Sequence, residues 1–112
     1  MNIVNAKIQS VKVCFDDSRR LSAEMKFVSQ NGTCGWSFVL SNPVDVQRLS
    51  KLMNYTGAEE VKDLNGKIIR RLDADGFMCG FGHPIENVFV PISTKEFSEI
   101  SESEVGTLLA KK

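Results

Sequence analysis
The chain reads as a single α+β domain: an antiparallel sheet, made of a three-stranded N-terminal meander and a C-terminal hairpin, packed against one central helix, with a short C-terminal helix. Three observations predict this. Apolar residues alternate through most of the first forty positions, which is the period of a half-buried strand. The period then changes to three and four residues over about 43–56. Finally, 112 residues with 42% hydrophobic and 25% charged side chains suit one core and are too few for two.

Residues 3–15 form the first expected strand, with Ile8 apolar among polar neighbours and Val11, Val13 and Phe15 alternating behind it. Asp16-Asp17-Ser18 is turn chemistry, because such short polar side chains bond their own backbone. Leu21, Ala23, Met25 and Phe27 then alternate with Ser22, Glu24 and Lys26. Asn31-Gly32 tolerates positive φ and predicts a hairpin, after which Trp36, Phe38 and Leu40 share one face of a third strand.

Asn42-Pro43 starts the helix: Asn caps, Pro suits the first helical position, and Asp45 puts a carboxylate in the first turn. Val46, Leu49, Leu52, Met53 and Thr56 supply the apolar face, and Gly57 the left-handed stop. A short helical turn is expected around Ala58–Leu64, a strand at Lys67–Leu72, and a hairpin at Asp73-Ala74-Asp75-Gly76. In the next strand Phe77, Cys79 and Phe81 are expected on one side, and Met78, Gly80 and Gly82 on the other, leaving backbone open to close approach. Val88–Ile92 adds a short strand. Ser93-Thr94-Lys95-Glu96 fits a capping box before Phe97, Ile100, Val105 and Leu108, which predicts a frayed or interrupted helix within 93–112.

Charge and composition exclude several function classes. Fourteen basic residues balance fourteen acidic ones, so no overall field draws the chain to duplex DNA or an anionic membrane. No apolar run approaches a membrane span, no signal-peptide core follows the first residues, and three scattered cysteines suit reduced thiols. A cytoplasmic location is the resulting expectation.

The single histidine, His83, removes sites that need paired imidazoles. Cys14, Cys34, Cys79 and His83 would satisfy tetrahedral zinc, but the chain lacks close-spaced ligand pairs, and buried inert thiols weigh more. Cys79 with His83 as nucleophile and base lacks a marked third group to orient the base. Gly80-Phe81-Gly82 lacks the third glycine and following helix of a dinucleotide fingerprint, and Asp73 with Asp75 lacks the remaining ligands of a calcium loop. No catalytic residue, metal or cofactor is assigned. Two features suit binding: the guanidinium forks of Arg19-Arg20 and Arg70-Arg71, and the aromatics Trp36, Phe38, Phe77 and Phe81, which can stack on a base. A solvated surface and an ordinary core are the simpler readings of both.

The order of parts resembles a widespread family of small, uncharacterised proteins encoded by bacteriophages and prophages. The resemblance spans about residues 5–92. It rests on Asn5-Ala6-Lys7-Ile8, Gly35-Trp36-Ser37-Phe38, the helix, Val61-Lys62-Asp63-Leu64-Asn65-Gly66-Lys67 and Gly82-His83. Fewer glycines surround Trp36 here than in that family. The resemblance implies a non-enzymatic accessory protein of phage origin, acting in the host cytoplasm against host defence. On that reading the chain forms a homodimer or larger assembly. Trp36, Arg70, Arg71, Phe81 and His83 would form a pocket that sequesters a nucleotide-derived signal. The alternative is a protein that inhibits a host defence nuclease or effector, such as a CRISPR complex, by covering its surface.

Overall fold
The computed structural model describes residues 2–110 in the backbone and 2–107 in their side chains. Its main feature is one six-stranded antiparallel sheet, β1 (Asn2–Phe15), β2 (Leu21–Ser29), β3 (Gly32–Val39), β4 (Ile68–Ala74), β5 (Phe77–Gly82) and β6 (Phe89–Pro91), in the order β3-β2-β1-β4-β5-β6. The sheet curls into a half-barrel and carries two helices, α1 (Pro43–Thr56) and α2 (Glu102–Ala110).

This corrects the expected architecture of a three-stranded meander plus a separate hairpin on a central helix. The cause is β1. Residues 7–15 pair with β2, while residues 2–7 pair with β4 on the other side, so one long strand fuses the two halves into a continuous sheet. Local periodicity identifies strands but carries no information about which strand will lie beside another.

The helix α1 forms as its sequence dictates. Asn42 Oδ1 accepts from the N–H groups of Val44 and Asp45 at 2.9 and 3.1 Å, Pro43 opens the first turn, and Gly57 at φ 76° closes the last. Leu49, Leu52 and Tyr55 of α1 pack with Ile8, Phe27, Phe38, Ile69 and Phe81 on one face of the sheet. A smaller cluster of Leu72, Cys79, Phe89 and Val105 joins α2 to β4, β5 and β6.

The register slips at two places. A bulge between Gln9 and Lys12 sets Ser10 and Val11 opposite Met25, with Ser10 at φ 55°. A second, between Leu72 and Asp73, makes Cys79 the extra residue of β5. Phe77, Cys79 and Phe81 therefore do not share a side. Phe81 and Met78 join the α1 core, Cys79 joins the α2 cluster, and Phe77 is exposed.

The C-terminal helix begins later than expected. Residues 93–101 are non-helical, with one bridge between Ile100 and Phe89, and at the start of α2 Glu104 Oε1 accepts from the Ser101 N–H at 3.2 Å and from its hydroxyl at 3.1 Å. The Ser93–Glu96 segment is instead drawn onto α1 by Arg48, whose guanidinium donates to the Thr94 and Glu96 carbonyls. The contact expected of Leu108 and any helix beyond Ala110 fall outside the described residues. No helix among the described residues is long and apolar enough to cross a membrane.

Candidate functional site
The β1 bulge opens a cleft of about 750 Å³ across three strands, lined by residues 10–12 of β1, 24–26 of β2 and 35–37 of β3. Gly35 presents no side chain to it, and a Cβ there would meet nothing closer than the Met25 carbonyl at 4.0 Å. Lys12, Glu24 and Lys26 supply charge, with Lys12 Nζ 3.8 Å from Glu24 Oε1. Both partners of that pair are solvated, so it constrains the cleft weakly.

Trp36 is the feature that marks this cleft. Its ring is half-buried against the α1 core, and its Nε1 is buried without an acceptor anywhere in the described chain. A buried donor left unsatisfied costs roughly 1–3 kcal/mol. Such groups are rare in folded proteins, and this one is sealed from solvent on the core face that Trp36 shares with Met25.

The other expected site residues are not gathered around Trp36. On β4, three strands away in the sheet, the Arg71 guanidinium is 2% exposed. It binds Asp73 through Nε–Oδ1 at 2.8 Å and Nη2–Oδ2 at 2.7 Å, and donates through Nη1 to the carbonyls of Phe27 and Gly32 at 2.7 and 3.1 Å. The Asp73 carboxylate, chiefly through these hydrogen bonds, makes the guanidinium hold its proton more tightly than usual against the opposing effect of burial. Arg71 and Asp73 do line a smaller cleft of about 340 Å³ at the β2–β3 and β4–β5 turns.

Arg70 lies on the opposite face of β4 and stacks over the Phe89 ring at 4.6 Å. Its Nε donates to the His83 carbonyl at 2.7 Å and its Nη2 to the Glu86 carbonyl, so it holds the 83–88 loop. The His83 Nδ1 accepts from the N–H groups of Ile85 and Glu86, both at 3.0 Å, which places the ring proton on Nε2. The His83 ring stands edge-on to Tyr55 at 5.5 Å, and Phe81, fully buried, meets the same ring at 6.0 Å. Phe81, Tyr55 and His83 thus form one aromatic group behind the sheet, separate from the Trp36 cleft.

The open backbone of Gly80 and Gly82 is filled by the chain itself. A Cβ on Gly82 would stand 2.2 Å from Cδ2 of Phe89, and one on Gly80 would stand 2.8 Å from the Val90 carbonyl and from Leu72 Cδ1. The thiols are dispersed: Cys14 pairs in register with Ser22 and Cys34 with Phe27, while Cys79 donates to the Leu72 carbonyl at 3.4 Å. Among the described residues, no three His, Cys, Asp or Glu side chains converge on a metal position.

Sequence reasoning singled out Trp36 but missed Ser10, Lys12, Glu24 and Lys26. A signal was present: the apolar parity of β1 switches from even (Ala6, Ile8) to odd (Val11, Val13), and such a slip is the mark of a bulge. No protein-family model, curated protein or solved structure matches this chain.

Proposed function
We propose that this chain is a non-enzymatic binding protein that sequesters a nucleotide-derived small molecule in the cleft beside Trp36, as a phage accessory protein directed against host defence would. The observation that carries the reading is the open cleft at the β1 bulge, which carries the Lys12 and Lys26 side chains and is left uncovered at Gly35. The two ammonium groups suit the phosphates of a nucleotide, and the bare Gly35 backbone leaves room for a flat base. The absence of catalysis is supported by the employment of the only imidazole. His83 spends Nδ1 on its own loop and packs on Tyr55 of the α1 core, whereas Cys79 belongs to the α2 cluster.

Trp36 is the sole tryptophan and borders the cleft, so its emission is a single-site reporter. Titration with cyclic dinucleotides and cyclic ADP-ribose isomers, paralleled by calorimetry, is expected to shift that emission saturably with one member of the panel. Replacing Lys12 and Lys26 with Ala, which removes both ammonium groups from the cleft, is expected to weaken binding by about tenfold. No binding across the panel overturns the reading.

A second reading, a protein that covers a host nuclease or effector, is favoured by a different observation. Val13, Phe15 and Leu21 are 49%, 64% and 45% exposed, and the register sets Phe15 opposite Leu21 on one face at the end of the sheet. Replacing Phe15 and Leu21 with Ser is expected to abolish effector inhibition on this reading and to leave nucleotide binding intact on the first.

A further inference from the structure
We infer that β3 is a self-pairing edge, and that two copies of the chain join antiparallel through it about a two-fold axis at Gly35. The strand stands at the end of the sheet with β2 as its only neighbouring strand among the described residues. Its eight residues pair with β2 without a bulge, from Ser22–Val39 to Ser29–Gly32. The Leu40 N–H donates to the Leu21 carbonyl, so even-numbered residues of this strand face β2 and odd-numbered ones face outward. The outward Val39 N–H is taken by Asp45 Oδ2 at 3.0 Å. The outward N–H and C=O groups of Thr33, Gly35 and Ser37 have no partner among the described residues.

Natural edges are blunted by lysine, proline, bulges or short length. Two other open edges follow that rule: residues 9–15 of β1 carry Lys12 and the Ser10 bulge, and β6 is three residues long with Phe89 bridged to Ile100. In contrast β3, Gly-Thr-Cys-Gly-Trp-Ser-Phe-Val, has no charge and no proline. A second copy is the occupant this edge fits, because an uncharged strand meets its own image without like-charge repulsion.

The Asp45 contact selects the register. Pairing that centres on Gly35 sets Thr33 opposite Ser37 of the other copy and uses only the three residues whose outward groups are free. A shift that placed Trp36 at the axis would require the Val39 N–H that Asp45 already occupies. Because Gly35, Trp36 and Ser37 also line the cleft, the two clefts would lie side by side across the axis. The inference stands on the edge and does not depend on the ligand.

Sedimentation equilibrium and a charge-swap pair test it. The unaltered chain is expected to dimerise within the micromolar range. Thr33→Lys with Ser37→Lys sets like charges opposite each other twice and is expected to weaken the dimer roughly tenfold at low salt, whereas Thr33→Lys with Ser37→Glu sets opposite charges there and restores it. Both variants change exposed side chains, and unaltered circular dichroism shows that they fold. A chain that stays monomeric, or equal association by the two double variants, overturns the inference.

Discussion

Asp73 grips Arg71 with two parallel hydrogen bonds, and this orients the one remaining guanidinium nitrogen onto the Phe27 carbonyl of β2. Arg71 sits on β4 and the Phe27 carbonyl on β2, and β1 lies between those two strands in the sheet. The pair thereby ties the two halves of the sheet together from inside the half-barrel.

Removal of the carboxylate would leave a buried cation unpaired. Asp73→Ala is expected to destabilise the fold by about 3 kcal/mol, and Arg71→Lys, which cannot form the fork, nearly as much. Arg71→Met together with Asp73→Leu is expected to recover most of that loss. Urea unfolding of the three variants decides the matter, and a single variant within 0.5 kcal/mol of the parent, roughly the level of an ordinary surface change, would refute it.

Gly82 is required because the Phe89 ring occupies the place of its side chain. Gly82→Ala is expected to cost about 2 kcal/mol, since the backbone on one side and a buried ring on the other cannot both yield. Phe89→Leu in the same chain should relieve the clash, so a double-mutant cycle is expected to give a favourable coupling of about 1 kcal/mol. Strictly additive losses would show that the two residues do not meet.

The Tyr55 phenol donates to Glu99 Oε2 and joins α1 to the 93–101 segment. Burial, and secondarily the Glu99 carboxylate, pushes its titration far above the ordinary range. A raised folded value means that this stabilisation is complete below the unfolded tyrosine value of about 10 and is lost as pH climbs above it. Tyr55 is the only tyrosine, so tyrosinate absorbance reads it directly. Absorbance is expected to appear only with alkaline unfolding, and Glu99→Gln should bring it to lower pH. Reversible titration near pH 10 with the fold intact would contradict this.

Asp16 folds the β1–β2 turn around its carboxylate, which accepts from the Ser18 and Arg20 N–H groups at 2.9 Å and from Arg20 Nε at 3.1 Å. The Arg20 backbone N–H is the main cause of a titration below the usual carboxylate range. A depressed folded value gives stability that is present above the unfolded carboxylate value of about 3.9 and is lost as pH falls through the lower one. Asp16→Asn should flatten the acid limb of thermal stability, and carbon NMR should place the Asp16 midpoint below the usual carboxylate range. Identical acid limbs in the two chains would exclude the role.

Much of the local structure was legible because its causes are local. Asn42, Pro43 and Gly57 delimit α1 through their own backbone preferences, and Asn31-Gly32 turns β2 into β3 for the same reason. Ser93–Glu96 misled because a capping box requires a following apolar face, and the polar stretch Ser98–Glu104 delays that face until Val105. Of the candidate site, only Trp36 was legible. Arg70 and His83 read as ligand groups because chemistry-bearing side chains look alike in sequence whether they face a ligand or a loop carbonyl.

The amino-acid order determined the limits of α1 and the turn between β2 and β3, for those depend on neighbouring residues. The tertiary structure alone decided that β1 joins both halves into one sheet, that Arg71 is a core strut, and that a cleft lies across β1, β2 and β3 at the Ser10 bulge. Each of those depends on which distant backbone groups come to lie opposite one another. That is a property of strand pairing, which no window of neighbouring residues contains.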